Sequence, residues 1–196
     1  MPKWKMMINI AVFCSGNGSN LQAILDAARD GLIPCRVKLM VCDNPGAYAI
    51  KRAEDSGIPR LIVNRKDFPS REAMEERIAS EVDEKNIKLI CLAGYMRLLS
   101  GRFVERYAGR IINVHPALLP AFKGKSAIRD AFESGVNISG VTVHFVTEAV
   151  DSGPVILQEA VVIEKSDTIE TLTEKIHKVE HRLYPQAIKL FCQNKT

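Results

Sequence analysis

Apolar and polar positions along this chain switch repeatedly between two periods. Ile8-Asn9-Ile10-Ala11-Val12-Phe13-Cys14 is a short apolar run closed by glycines, after which Leu21, Ile24, Leu25 and Ala28 recur at helical spacing up to Gly31. The pattern predicts a strand, a glycine loop and an amphipathic helix with a glycine stop. The unit then recurs. Residues 37–42 read as a strand, 47–56 as a helix stopped by Gly57, and 61–63 as a short strand. Ser70 is placed to cap a helix through Lys85, 89–93 is fully apolar, Ser100 is placed to cap a further helix, and Ile111–His115 is another strand. Strands alternating with helices imply parallel pairing through right-handed crossovers. The expected class is therefore α/β, with a doubly wound, mostly parallel open sheet.

The pattern changes after a helix predicted over Ala127–Glu133. Residues 140–146 and 155–163 are β-rich runs separated by a polar turn containing Asp151 and Gly153, which predicts an antiparallel excursion at the C-terminal edge of the sheet. Asp167-Thr168-Ile169-Glu170 fits a capping box, with Asp167 accepting from the helix start and Glu170 reaching back. Ile169, Leu172, Ile176, Val179 and Leu183 then stripe one face of a final helix. No internal repeat, low-complexity tract or linker interrupts the chain, so one domain over residues 1–196 is expected. The strand pattern begins only after Met6 and Met7, which makes either a candidate alternative start of translation.

Composition narrows the function classes. The net charge is +4, and the basic residues are scattered with no run of five or more. Such a field suits anionic small molecules, and an aromatic content of 6% offers little for base stacking, so nucleic acid is not an expected partner. Cys14, Cys35, Cys42, Cys91 and Cys192 show no Cys-x-x-Cys spacing, and three of them lie in strand-like runs. That usage predicts buried, reduced thiols in a cytoplasmic protein. The N-terminal apolar stretch is too short to cross a bilayer, and neither a membrane nor a metal is expected.

Four segments carry candidate chemistry. Gly16-Asn17-Gly18-Ser19-Asn20 lies between the first strand and first helix, where backbone N–H groups and the helix dipole converge on an anion. It lacks the third glycine of a dinucleotide fingerprint and a Walker lysine, so a sugar phosphate or mononucleotide fits better than NAD or ATP. A tight turn needing glycine dihedrals would leave the same signature. Asn113 and His115, two apart at the carboxyl end of a strand, share one face bordering the ligand crevice. A core histidine and a turn asparagine are the plain alternative. Asp151 adds a carboxylate or merely an Asx turn. Gly94-Tyr95-Met96-Arg97-Leu98-Leu99 follows the most apolar strand, as a helix entry or as an apolar slot for a flat heterocycle. Glu180 and His181, beside the helix stripe, are by default solvated.

Five segments taken together carry a resemblance: residues 15–24, residues 92–99, Ile112-Asn113-Val114-His115-Pro116 with the following Ala117-Leu118-Leu119-Pro120, Val143-His144-Phe145-Val146, and Asp151-Ser152-Gly153-Pro154-Val155-Ile156. In order and spacing the chain resembles the phosphoribosylglycinamide formyltransferase family, folate-dependent enzymes of purine synthesis. The resemblance implies a Rossmann-like formyltransferase fold, with phosphate and nucleotide binding in the N-terminal half and folate binding in the C-terminal half. It implies that 10-formyltetrahydrofolate, as co-substrate, donates a formyl group to the amine of glycinamide ribonucleotide. Asn113, His115 and Asp151 would then be catalytic. Asn113 and His115 would stabilise the oxyanion, His115 would serve as general acid, and Asp151 would orient His115 and favour its imidazolium form. Gly18, Ser19, Asn20 and His177 would bind the ribonucleotide and its phosphate, and Glu180 its glycinamide end. Arg71, Met96, Arg97, Leu98 and Leu99, together with Asn113 and the loop Thr147, Glu148, Ala149, Val150 and Asp151, would bind folate. A monomer or homodimer is expected.

The chain departs from the family's pattern at Ser152, where glycine or threonine is usual, at the loop Lys123-Gly124-Lys125-Ser126, and at His177, where some members carry glutamine. Formyltetrahydrofolate deformylases share the Asn, His and Asp set, usually behind an N-terminal regulatory domain. Methionyl-tRNA formyltransferases add a C-terminal barrel, and neither addition is read here. A non-catalytic nucleotide-binding module would use the glycine loop alone and leave Asn113, His115 and Asp151 without a role.

Overall fold

The computed structural model describes residues 7–193; Met6, one of the two candidate starts, lies outside them. Its elements in chain order are β1 (Ile8–Cys14), α1 (Ser19–Arg29), β2 (Cys35–Cys42), α2 (Ala49–Asp55), β3 (Arg60–Ile62), α3 (Arg71–Glu84), β4 (Leu89–Leu92), α4 (Gly101–Arg106), β5 (Ile111–His115), α5 (Ala127–Glu133), β6 (Ile138–Phe145), β7 (Val155–Val162) and α6 (Ile169–Gln193). They form a seven-stranded sheet in the order β3-β2-β1-β4-β5-β6-β7. The first five strands pair in parallel, and β6 and β7 run antiparallel at the edge.

Helices cover both faces, so the inner strands are apolar throughout and alternate between two cores. Ile10, Val12 and Cys14 of β1 join the core that includes Leu21 and Ile24 of α1 and Ile176 and Leu183 of α6. Ala11 and Phe13 point to the opposite core, with Met74 and Ile78 of α3 and Phe103 of α4. All five cysteines are free and buried. Among the described residues no helix is long and apolar enough to cross a membrane.

The expected helix starts at Ser70 and Ser100 are present, each hydroxyl accepting from the third residue of its helix. The box at α6 sits one residue later than expected. The Thr168 N–H donates to Thr171 Oγ1 at 2.9 Å and the Thr171 N–H to Thr168 Oγ1 at 3.3 Å, so Thr168 is the cap. Asp167 instead accepts from the Glu164 N–H and from Lys175 Nζ, while Glu170 lies in the first turn of the helix. The helix also runs past the predicted stripe and through Pro185, because Tyr184, Ala187, Ile188, Phe191 and Cys192 prolong the buried face. That burial outweighs the backbone bond lost at proline. Tyr184 fastens the helix to the sheet by donating towards the carbonyls of Leu92 and Ile112, at 2.9 and 3.1 Å.

Strand order reverses at β1, which lies between β2 and β4. Ligand crevices open at the carboxyl ends of such switch points. Two bonds join the loops there: the Ser15 N–H donates to the Gly94 carbonyl at 3.1 Å, and the Met96 N–H to Ser15 Oγ at 2.8 Å.

Candidate active site

Strand alternation places the polar residues of β5 and β6 on one face. Ile112, Val114, Val141 and Val143 belong to the core shared with α6, which leaves Asn113, His115, Thr142 and His144 on the other side. Antiparallel register sets Asn113 opposite His144 and His115 opposite Thr142. Thr142, fully buried, fixes the chain leaving β5: its hydroxyl donates to the Ala117 carbonyl at 2.7 Å and accepts from the Leu119 N–H at 3.1 Å.

Asp151 reaches this face from the loop between β6 and β7. Gly153 holds the loop against the strand: a Cβ there would lie 1.8 Å from the Phe145 carbonyl oxygen. The carboxylate sits between two buried imidazoles, with Oδ2 3.5 Å from His115 Nδ1 and Oδ1 3.6 Å from His144 Nε2. The Gly124 N–H donates to Oδ2 at 2.9 Å. Burial pushes the carboxyl up, but the His144 contact, the Gly124 N–H and the charges of both histidines outweigh it, so its pKa lies below the ordinary value.

Hydrogen-bond partners fix the imidazole protons. A carbonyl only accepts, so His115 Nε2, 2.8 Å from the Phe122 oxygen, carries a proton and Nδ1 is the nitrogen facing Asp151. His144 Nδ1 faces the Phe145 oxygen at 2.8 Å and carries its proton likewise. Nε2 of the same ring lies 3.3 Å from Asn113 Nδ2 and 3.6 Å from Asp151 Oδ1, so His144 ties the Asn113 amide to the carboxylate. The orientation expected from Asp151 alone is thus shared: Phe122 holds the His115 ring, and His144 aims Asn113.

The glycine loop forms the second part of the site. Gly18 has φ +76, and a Cβ there would meet the Ala49 Cβ at 2.7 Å, so both backbone conformation and the approach of α2 require glycine. Gly18 gives α1 no side-chain cap, so the first N–H groups of the helix remain open to an anion. Arg52 of α2 braces the loop, donating to the Asn17 carbonyl at 2.9 Å and to Asn17 Oδ1 at 3.0 Å. Asn20 donates to Glu180 Oε2 at 2.8 Å across 160 residues of sequence. Glu180 is therefore not a solvated side chain but 5% exposed, and burial raises its pKa to about 7 against the lowering effect of the Asn20 bond. His177 and His181 stack one turn apart beside it, their ring centres 6.1 Å apart.

The two parts are neighbours. Phe13, Leu92 and Asn113 share one rung across β1, β4 and β5, which puts Asn113 about 10 Å from the strand end that feeds the glycine loop. Past β4, Met96 and Leu98 stand out from the surface, Leu99 packs on the α3 and α4 core, and Arg97 Nε meets Asp43 Oδ2 at 2.7 Å. Glu148 of the loop 147–151 lies against the start of α4, where a Cβ at Gly101 would be 3.0 Å from its Oε1. Val150 is exposed within that loop, and Thr147 Oγ1 donates to the Ala149 carbonyl. Arg71 opens α3, ion-paired loosely with Glu72, and Glu75 in the next turn accepts from the Ser100 N–H.

Comparison with known proteins settles the family. Residues 8–188 match the formyl transferase family. The chain belongs to it. Among relatives, a phosphoribosylglycinamide formyltransferase of Bacillus subtilis is 44% identical over 183 residues, covering 93% of this chain and 94% of that one. The human trifunctional purine biosynthetic protein adenosine-3 is 41% identical over 95% of this chain, which spans 18% of that larger protein. The crystal structure of glycinamide ribonucleotide transformylase 1 from Geobacillus kaustophilus, 49% identical, superposes with a TM-score of 0.92 over 94% of this chain and 98% of that one.

The expected Asn113, His115 and Asp151 are brought together, as are Gly18, Ser19, Asn20 and Glu180, with His177 one turn from Glu180. Sequence reasoning assigned no role to His144, Phe122, Gly124 or Arg52. For His144 a signal existed, because Thr142 and His144 interrupt an apolar strand at period two. Phe122 and Gly124 act through backbone atoms, which leave no signature. Ser152 and Lys123, two of the departures from the family's pattern, are bonded to each other at 2.6 Å.

Proposed function

We propose that this formyl transferase moves the formyl group of 10-formyltetrahydrofolate to the amine of glycinamide ribonucleotide, in de novo purine synthesis. The observation that carries the reading is the pairing of two clusters, with Asn113 of one about 10 Å from the strand end that feeds the other. One is an anion-binding loop with a buried carboxylate at Glu180. The other is the Asn113, His115 and Asp151 group that acyl transfer requires.

Gly18, Ser19 and Asn20 receive the phosphate at the start of α1, with His177 on the same side, and Glu180 receives the glycinamide end. The folate lies along Met96, Arg97, Leu98 and Leu99 and under the loop Thr147, Glu148, Ala149, Val150 and Asp151, with Arg71 towards its outer end. Exposed Met96, Leu98 and Val150 suit a flat heterocycle, and backbone groups of the segment supply its hydrogen bonds. The amine lone pair attacks the formyl carbon, and the carbonyl oxygen becomes an oxyanion. An N–H of Asn113 and the His115 imidazolium stabilise that charge. The proton on His115 Nδ1 then passes to the departing folate nitrogen as the C–N bond breaks, and the ionised Asp151 receives a proton from the attacking amine.

The test mixes the protein with 10-formyltetrahydrofolate, with and without glycinamide ribonucleotide, and follows release of tetrahydrofolate. Release that depends on the nucleotide supports the transferase. Equal release without it would make the protein a deformylase, and no release with both present would favour a binding module.

A further inference from the structure

Two surface loops meet beside Asp151 through a pair of consecutive bonds. One loop leaves β5 and contains Phe122, Lys123 and Gly124, and the other joins β6 to β7 and contains Asp151 and Ser152. Gly124 donates its N–H to Asp151 Oδ2 at 2.9 Å, and Lys123 Nζ donates to Ser152 Oγ at 2.6 Å. The Ser152 hydroxyl donates onward to the Val150 carbonyl at 2.9 Å. Its proton is thus committed and its lone pair takes the ammonium, so the contact spans the backbone on both sides of Asp151.

The backbone here is in a conformation that side chains resist. Asp151 has φ +47 and Phe122 has φ +51, both in the left-handed region. Aspartate visits that region more readily than most residues, but a bulky residue such as Phe122 remains there only when its surroundings hold it. Gly153 anchors the trailing side of the Asp151 loop on the Phe145 carbonyl, and Lys123 with Gly124 anchors the face towards His115. We propose that the Lys123–Ser152 contact is a latch that keeps the Asp151 carboxylate between His115 and His144, which makes Lys123 and Ser152 positioning residues for formyl transfer. The proposal rests on the role given to Asp151 above. An exposed contact of this kind adds little to global stability. Its effect is local, because a displacement of about 1 Å at a catalytic group is enough to slow chemistry strongly.

The test compares K123M, S152A, the double variant and K123R, with D151N as the reference for the catalytic reading. K123M and S152A are expected to lower kcat roughly two- to tenfold, the effect of one hydrogen bond of ordinary net strength. KM for glycinamide ribonucleotide and the thermal midpoint should not move. The double variant should lose no more than either single one, as for groups acting as a unit, and K123R, which keeps a donor, should recover most of the rate. Wild-type kcat in K123M and S152A beside an inactive D151N would overturn the latch and leave the role of Asp151 standing. Wild-type activity in D151N as well would overturn both. A lowered thermal midpoint with additive losses in the double variant would make the contact structural and overturn the positioning role.

Discussion

Asn113 combines two duties in one amide. Its side chain is held by the His144 ring, and in the proposed transfer it supplies an N–H to the oxyanion. Asn113→Ala should therefore lower kcat by about 10²- to 10³-fold, the usual loss for an oxyanion donor. The thermal midpoint should hardly change, because the side chain is only part-buried; steady-state kinetics with a thermal melt checks both. Glu180 makes a pH-dependent prediction. Its folded pKa of about 7 lies above the ordinary 4.5, so the folded state binds the proton more tightly. The stability this contributes is fully present below about 4.5 and is lost as pH rises through about 7. Glu180→Gln should remove this dependence, gaining on the wild type by on the order of 3 kcal/mol between those limits. Denaturant melts at pH 4.5 and 8 measure it. In activity the sign is opposite: if the carboxylate receives the amine end, as proposed, KM for the nucleotide should fall as pH rises through about 7.

At the scale of elements, glycines and register decide where these side chains meet. Gly153→Ala would force a methyl against the Phe145 carbonyl, and the loop carrying Asp151 would have to rebuild. A loss of at least tenfold in kcat is expected, about that of an oriented catalytic group moved out of place, with most of the β-sheet circular dichroism retained. An unchanged kcat would show that the loop need not sit on the strand. Much of this level was legible in the sequence. The short continuous apolar runs located the inner strands of the sheet, and Ser70 and Ser100 located two helix starts, because those signals are local. The capping box at α6 was misplaced by one residue because Asp167 and Thr168 are both competent caps, and Asp167 is taken up by the Glu164 N–H three residues back and by Lys175 of the helix itself. The pairing of Asn113 with His144 depends on the β5–β6 register, which a strand pattern does not encode. The asparagine and histidine of β5 were visible as candidates, whereas the residues that aim them were not.

At the scale of the whole molecule, strand order turns separate motifs into one site. Reversal at β1 brings the glycine loop after β1 beside the segment after β4. The β5–β6 pairing sets His144 beside Asn113, and the loop after β6, which leaves near Ile111, folds back to bring Asp151 to His115 and His144. Glu180 arrives from the opposite terminus because α6 packs across the core that α1 shares. Composition and periodicity predicted the sheet. They did not predict a buried Glu180: its position, four past Ile176 and three before Leu183, lies on the buried face of α6, but a carboxylate there reads as solvated until its Asn20 partner, distant in sequence, is known. The account requires both clusters to act on one pair of substrates, so the destination of the formyl carbon tests it most directly. With 10-formyltetrahydrofolate labelled with carbon-13 in the formyl group, and glycinamide ribonucleotide present, the label should appear by nuclear magnetic resonance as the formamide carbon of the nucleotide, in step with tetrahydrofolate release. Label recovered instead as free formate would contradict the account.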